Sequence, residues 1–439
     1  MRSCLKRIGR SALLVAICVA VGFALLLGAF ALPTEPMREH ALAAAELFER
    51  EGSYPTVRFL GGEATLDNFT DEMMLIHAGY QAPETTLLQR ALNIYRPFSN
   101  EDDPADVYTS SLSSPARAHQ SNYGRYWHGY LAVLKPLLSI FTYEQLRAIN
   151  AVWVAALGLA ALVLLWRRGL RRYMLPFALT VLLLHPVAIA NCLFYTQVYA
   201  VTMLACIAIL LAGGGRLCAR PQRLALLFVL TGCLTSYLDL LTAPLLSFGL
   251  PCALCLCLAA TDRKSGLKLA LTALFCWCVG YGGMWAGKWI LTALLGGEDT
   301  ALLETLRLRS SAAGAPGLFS AVALIVRRLL THLRVPVMAA ALLFALGAGI
   351  CVLLRSPLRK LKSLVWLPYA MVCLLPFLWI AFTQNHSYIH RWFVFRLLAV
   401  CVFGGLCMLV RLAEKRPAPR VGADEEMAAD GAEQAPRRR

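Results

Sequence analysis

Charge is what this chain has least of. Only 15% of its 439 residues are Asp, Glu, Lys or Arg, while 58% are hydrophobic; a soluble domain carries about 25% charge. That scarcity excludes an ordinary soluble fold and points to a polytopic membrane protein. Cysteine is missing from the whole stretch between Leu32 and Asn191, and most of the 15 thiols fall in apolar runs. A secreted disulfide framework is thereby excluded. The apolar runs also lack the alternation of a membrane barrel. Backbone groups in lipid must be satisfied within the protein, so continuous runs give helices, and the expected fold class is all-α.

Three familiar motifs are incomplete. Gly213-Gly214-Gly215 has no Lys-Ser/Thr after it, as a phosphate loop would require. His386 and His390 have helix spacing, but Ser387 stands where a zinc metalloprotease needs glutamate. Cys252-Ala253-Leu254-Cys255 has redox spacing but lies inside an apolar run, and reads as packing.

The net charge of +16 is placed in short loops between apolar spans, which is the positive-inside pattern rather than a nucleic-acid surface. Arg2, Lys6, Arg7 and Arg10 precede a first apolar run from about Ser11 to Leu32, longer than the roughly 7–15 residues of a signal peptide. A retained anchor with a cytoplasmic N-terminus is expected. Further spans read as 147–166, 174–192, 194–212, 224–240, 244–260, 269–292, 336–354, 364–382 and 393–411, about ten in all by the length a bilayer demands. Alternation from the N-terminus puts Arg167–Arg172, Arg216–Arg223, Asp262–Lys268 and Arg355–Lys362 on the cytoplasmic side, where basic loops belong.

The organisation expected is a cytoplasmic N-terminus and anchor over 1–32 and an extracytoplasmic segment with interfacial helices over 33–146. A bundle over 147–292 follows, then an outer loop over 293–335, C-terminal spans over 336–411 and a disordered cytoplasmic tail over 412–439. Glu39–Arg50 reads as a short amphipathic helix, Gly61-Gly62 as a turn, and Ser99–Pro115 as a loop. Leu318–Leu333 reads as an amphipathic interfacial helix, with Arg327 and Arg328 snorkelling or meeting a phosphate.

Polar groups gather on the predicted outer side. The stretch Leu66-Asp67-Asn68-Phe69-Thr70-Asp71-Glu72-Met73-Met74 puts three carboxylates in six residues, in the first segment beyond the anchor. Arg125, Tyr126, Trp127 and His128 lie where that segment returns to the membrane. Asp239 and Lys288 fall near the outer ends of spans, and His386, His390, Arg391 and Arg396 come last. Each also has a plainer reading. Asp67 suits an N-cap for a helix starting near Asn68, the Arg125–Tyr130 patch an interfacial belt, Asp239 a cap, and Lys288 a snorkelling lysine. The two histidines with Arg391 and Arg396 suit an anion clamp better than a metal site.

Carboxylates beside basic groups at a membrane surface suit transfer from a lipid-linked sugar phosphate. A carboxylate takes the acceptor hydroxyl's proton, and Arg, Lys or His meets the phosphate that leaves. With that chemistry in view, the layout over residues 11–411 resembles the GT-C superfamily of membrane glycosyltransferases. The phrases carrying the resemblance are Leu66–Met74, Tyr123-Gly124-Arg125-Tyr126-Trp127-His128-Gly129-Tyr130, Thr235-Ser236-Tyr237-Leu238-Asp239 and Asn385-His386-Ser387-Tyr388-Ile389-His390, similar to those of bacterial membrane proteins with this plan. The resemblance implies inverting transfer from an undecaprenyl-type carrier to a cell-envelope glycan or lipid acceptor, at a bacterial plasma membrane with both termini cytoplasmic. It implies a base in the first outer loop, either Asp67 or Asp71, with Glu72 beside Asp71 as in the family's acidic pair. Arg125, Tyr126, His128, Asp239, Lys288, His386, His390 and Arg396 are the expected substrate-binding set. No cofactor is required by the residues, no metal ligands are assigned, and divalent-cation dependence stays open. Membrane lipids are expected neighbours and nucleic acid is not. Two other classes remain: an envelope-lipid transporter or flippase, and a non-enzymatic membrane assembly protein.

Overall fold

The computed structural model describes residues 2–98, 104–113, 119–213, 217–218, 220–260, 262–295, 298, 304, 307–308, 310, 317–333, 335–354 and 362–413. The tail expected to be disordered therefore falls, from 414 onward, outside the described residues. Among the described residues 78% are helical, as the uninterrupted apolar runs require.

Helix α1 (Arg2–Phe30) leads into a segment built from α2 (Glu35–Leu42), α3 (Ala45–Glu51), α4 (Asn68–Gly79), α5 (Leu87–Asn93), α6 (Pro104–Ser113) and α7 (Leu131–Leu138). The single helix expected over Glu39–Arg50 is two, divided at Ala43-Ala44; Met37, Ala41, Ala44 and Phe48 are all buried. Two short hairpins accompany these helices, β1 (Thr56–Phe59) with β2 (Gly62–Thr65) and β3 (Tyr95–Phe98) with β4 (His119–Asn122). The first turns at Leu60 and Gly61, both at positive φ, the backbone that a two-residue hairpin loop needs. The loop expected over Ser99–Pro115 instead contains α6, which begins on a proline, a residue suited to the first helical turn because it has no N–H to leave unpaired.

The remaining helices are α8 (Tyr143–Arg167), α9 (Arg171–Leu183), α10 (Pro186–Ala190), α11 (Leu193–Leu211), α12 (Pro221–Leu238), α13 (Leu246–Ala259) and α14 (Arg263–Leu294). After them come α15 (Leu318–Leu330), α16 (Val335–Leu354), α17 (Leu367–Phe382), α18 (Gln384–Ile389), α19 (Arg391–Val394) and α20 (Leu398–Ala413), the last two joined by a 3-10 turn over Phe395–Leu397.

Among the described residues, five helical stretches are long and apolar enough to cross a membrane: Gly9–Phe30, Tyr143–Arg167, Leu193–Leu211, Arg263–Leu294 and Arg391–Ala413. Leu246–Ala259, Pro336–Val352 and Leu367–Phe382 are apolar but shorter. That count falls short of the ten spans expected from hydropathy. The clearest divergence is the span read over 174–192, which is two helices broken at His185, where φ is +60°. Pro186 explains the break, since proline disfavours a helical residue before it.

Small residues set the closest packing. A Cβ on Gly280 would sit 2.0 Å from the Val229 carbonyl oxygen, and one on Gly232 would sit 2.2 Å from that of Trp277. Helices α12 and α14 thus meet backbone to backbone, as small residues permit within membranes. The Gly283–Gly287 spacing has the same use, with Val15 and Val19 of α1 seated on the two glycines. Helix α13 is buried nearly all round, Cys252 and Cys255 included, as befits a helix apolar on every face. The cysteines of the described residues are free thiols.

Candidate functional site

Helix α4 organises the polar groups. Asp67 is its N-cap, accepting the Thr70 N–H at 3.0 Å, the capping use its sequence position suggests. Its other oxygen accepts the Trp392 indole N–H at 3.1 Å. Burial raises the Asp67 carboxyl above the usual range, opposed by the Thr70 and Trp392 donors and the nearby Arg396 charge.

Asp71, one turn on, is differently held. Oδ2 accepts the Tyr143 hydroxyl at 2.6 Å and the Leu193 N–H at 2.9 Å; Oδ1 accepts the Phe194 N–H at 2.8 Å. The two N–H groups are orphan donors of the first turn of α11, so Asp71 caps a helix far from its own. Even so, burial pushes its carboxyl up to about 6. Glu72 is also buried, and its charge acts on Tyr54 and Tyr108. The acidic stretch thus divides: Asp71 is enclosed by donors from two other helices, whereas Asp67 faces Trp392 and Arg396.

Arg396 is 2% exposed. Its Nε donates to the Leu184 carbonyl at 3.0 Å and Nη1 to the Trp392 carbonyl at 3.5 Å, and its guanidinium lies 3.9 Å from the Tyr195 ring centroid. The buried Nη2 has no hydrogen-bond partner. Trp392 therefore touches both members of an opposite-charge pair, donating to Asp67 and accepting from Arg396. Tyr54 packs edge-on against Trp392 at 5.2 Å, and the Tyr195 hydroxyl donates to the Thr65 carbonyl.

The histidine pair adjoins this group. His386 and His390 have ring centroids 4.7 Å apart, and His390 packs on Trp392 and Phe393. His386 Nε2 bonds the Leu241 carbonyl, which brings in the turn after α12. Asp239 in that turn accepts the Thr242 N–H and hydroxyl, so its carboxylate closes the turn locally. On α15, Arg328 lies 4.0 Å over the Tyr388 ring. His332 stacks on Phe395 and is held below its ordinary range by burial, then by the Arg391 and Arg396 charges.

Arg125, Tyr126, His128 and Lys288 form a second group, at the other end of α4. His77 on that helix and His128 both bond the Tyr130 hydroxyl, at 3.1 and 3.0 Å. Arg125 and Arg96 lie 4.6 and 5.0 Å from the Tyr123 ring centroid. Lys288, expected to snorkel, is instead buried, donating to the Leu92 carbonyl at 2.6 Å and lying over the Trp127 ring. It meets the C-terminal turn of α5, where a cation is favoured; Lys135 does the same at the Ala78 carbonyl of α4. Both lysines are consumed by helix ends.

The segment between α1 and α8 is tied to the bundle by an ion pair. Arg147 of α8 donates to both oxygens of Glu51 at 3.0 Å and to the Asn191 carbonyl at 2.8 Å, and Asn68 donates to the same Glu51. Trp392, Tyr143, Tyr195, Arg147 and His77 all shape the two groups, and the sequence reading passes over them. Nothing in their spacing marks them, because each meets its partner only through the fold. Among the described residues, no three His, Cys, Asp or Glu gather in a way that would hold a metal ion.

No family model, curated protein or solved structure matches this chain.

Proposed function

We propose that this protein is a GT-C-type membrane glycosyltransferase, moving a sugar from a polyprenyl-phosphate carrier to a cell-envelope acceptor on the outer face of the membrane. In this reading Asp67 is the general base, and the ten-span topology has both termini cytoplasmic. The observation that carries it is the buried, unpartnered Nη2 of Arg396 beside the Asp67 carboxylate, with Trp392 bridging the two. Asp67 takes the acceptor's hydroxyl proton, the acceptor oxygen bonds to the anomeric carbon, and the bond from that carbon to the phosphate oxygen breaks with inversion. Charge then develops on the lipid phosphate, where a guanidinium N–H is worth most in a water-poor site. Asp71 drops out as base because every donor around it is structural.

The test is sugar transfer by the purified protein from polyprenyl-phosphate donors. Asp67→Asn should lose about 10²–10⁴-fold in rate and Arg396→Lys should lose rate without unfolding. A wild type inactive with every donor, or an active Asp67→Asn, would overturn the assignment.

A lipid transporter is the second reading, favoured by the broken helix at His185 and the run of short helices from Gln384 to Leu397, since discontinuous helices mark transport sites. It predicts lipid translocation in proteoliposomes without sugar transfer.

A further inference from the structure

We propose that the cleft between α1, α11 and α12 holds one anionic phospholipid, with an acyl chain in its apolar body and the phosphate at the arginines of its mouth. The site is independent of Asp67 and of sugar transfer. The cleft has a volume of about 360 Å³, at the small end of the ~300–1,000 Å³ of small-molecule sites, and so has room for a single chain. Each helix gives one face to it. On α12, Arg223, Leu226, Leu227 and Leu230 line it, the i, i+3, i+4, i+7 spacing of one helix face. On α11, Ala208 and Ala212 line it one turn apart, and their small side chains leave the space that the leucines wall in. On α1, the lining residue Leu14 lies one turn beyond Arg10, whose Nη1 donates to Gln222 Oε1 at 2.5 Å. From Arg223 to Leu230 the cleft runs about 10 Å along the axis of α12, so a charged mouth stands over an apolar shaft.

The shaft calls for a lipid chain. Helices α1 and α11 are both long and apolar enough to cross a membrane. An apolar cleft left unfilled between such helices forfeits the dispersion contacts of its walls, and in a bilayer the molecule at hand to restore them is a lipid. The mouth selects the headgroup. Arg10, Arg220 and Arg223 are exposed, and Arg168 donates to the Leu211 carbonyl at 2.6 Å, beside the lining residue Ala212. Neither Asp nor Glu occurs in Met1–Thr34 or in Gln145–Leu238, the stretches that supply every one of these residues. Four arginines therefore meet at one end of three helices with no carboxylate from the same stretches, and a lipid phosphate there supplies the opposite charge. A zwitterionic headgroup brings its own ammonium, which the arginines repel. A net-anionic phospholipid brings none.

The test is photo-crosslinking of the full-length protein in phosphatidylcholine nanodiscs, mapped by mass spectrometry. Two trace probes carry the same diazirine-bearing chain, one on phosphatidylglycerol and one on phosphatidylcholine. The anionic probe should label Leu14 and Leu226–Leu230 about tenfold more than the zwitterionic one, the effect of roughly one to two arginines on an anionic headgroup. On α16, where Leu343 and Leu346 are 70% and 62% exposed, the two probes should label alike. Arg223→Gln combined with Arg10→Gln should reduce labelling of the cleft by the anionic probe to the zwitterionic level. Arg263→Gln, which removes an exposed charge outside the cleft, should leave the preference intact. Equal labelling of the wild-type cleft by both probes would overturn the proposal, and that comparison needs no variant. A cleft that neither probe labels would also overturn it, and would point to protein, such as a second copy of the chain, as the occupant.

Discussion

Asp71 accepts the backbone N–H of Phe194 at 2.8 Å across 123 residues of chain. The bond joins the segment between α1 and α8 to the start of α11, and it identifies the second aspartate of the acidic stretch as a fastener.

Removing that carboxylate should cost stability. Asp71→Ala leaves the Leu193 and Phe194 N–H groups and the Tyr143 hydroxyl buried without an acceptor, at about 1–3 kcal/mol for each. Denaturation in detergent should show Asp71→Ala unfolding well below the wild type. A variant as stable as the wild type would remove the capping role.

The same residue should give stability a pH dependence of definite sign. Its carboxyl is raised to about 6 in the fold from an ordinary value near 3.9, so the folded state favours the protonated form. The stability it contributes is complete below about pH 4 and is lost as pH rises through about 6, roughly 3 kcal/mol over that window. Unfolding measured from pH 4 to 7 should show this fall in the wild type and a flatter profile in Asp71→Asn.

Trp392→Phe keeps the ring but removes the N–H that Asp67 accepts. Losing a donor to its charged form raises a carboxyl further. Under the transferase reading, the acid limb of the pH–rate profile should move up by on the order of one unit. An unmoved limb would mean that Asp67 does not set it.

Arg147→Gln breaks the bridge from α8 to Glu51 and the Asn191 carbonyl. Hydrogen bonds to charged groups contribute about 1.5–3 kcal/mol, and Glu51 is half-buried, so a loss of about 2 kcal/mol is expected. Limited proteolysis should also cut the segment between α1 and α8 sooner. Unchanged stability and cleavage would show that the segment docks without it.

Gly280→Ala places a methyl against the Val229 carbonyl, where only backbone movement makes room. Overpacking of this kind costs about 1–3 kcal/mol. Thermal unfolding should show the loss, and the nearby Gly282→Ala, whose Cβ meets nothing within 4 Å, should not.

The chain's own order of residues determined the class of fold, because a bilayer imposes helices on long apolar runs whatever their neighbours are. It also marked the acidic stretch, a turn at Gly61 (the hairpin itself turns on Leu60 and Gly61), the amphipathic helix at Leu318, and Asp67 as an N-cap, all of which rest on residues a few positions apart. It did not separate Asp67 from Asp71, since both are aspartates on one short stretch and differ only in what packs against them. Nor did it show Lys288 buried, the break at His185, or Trp392 and Arg396 beside Asp67. Those depend on partners dozens to hundreds of positions away: the Asp67–Trp392 bond spans 325 residues. Local pattern records periodicity and capping, but which donor reaches which carboxylate is decided only when the helices pack and water is excluded between them.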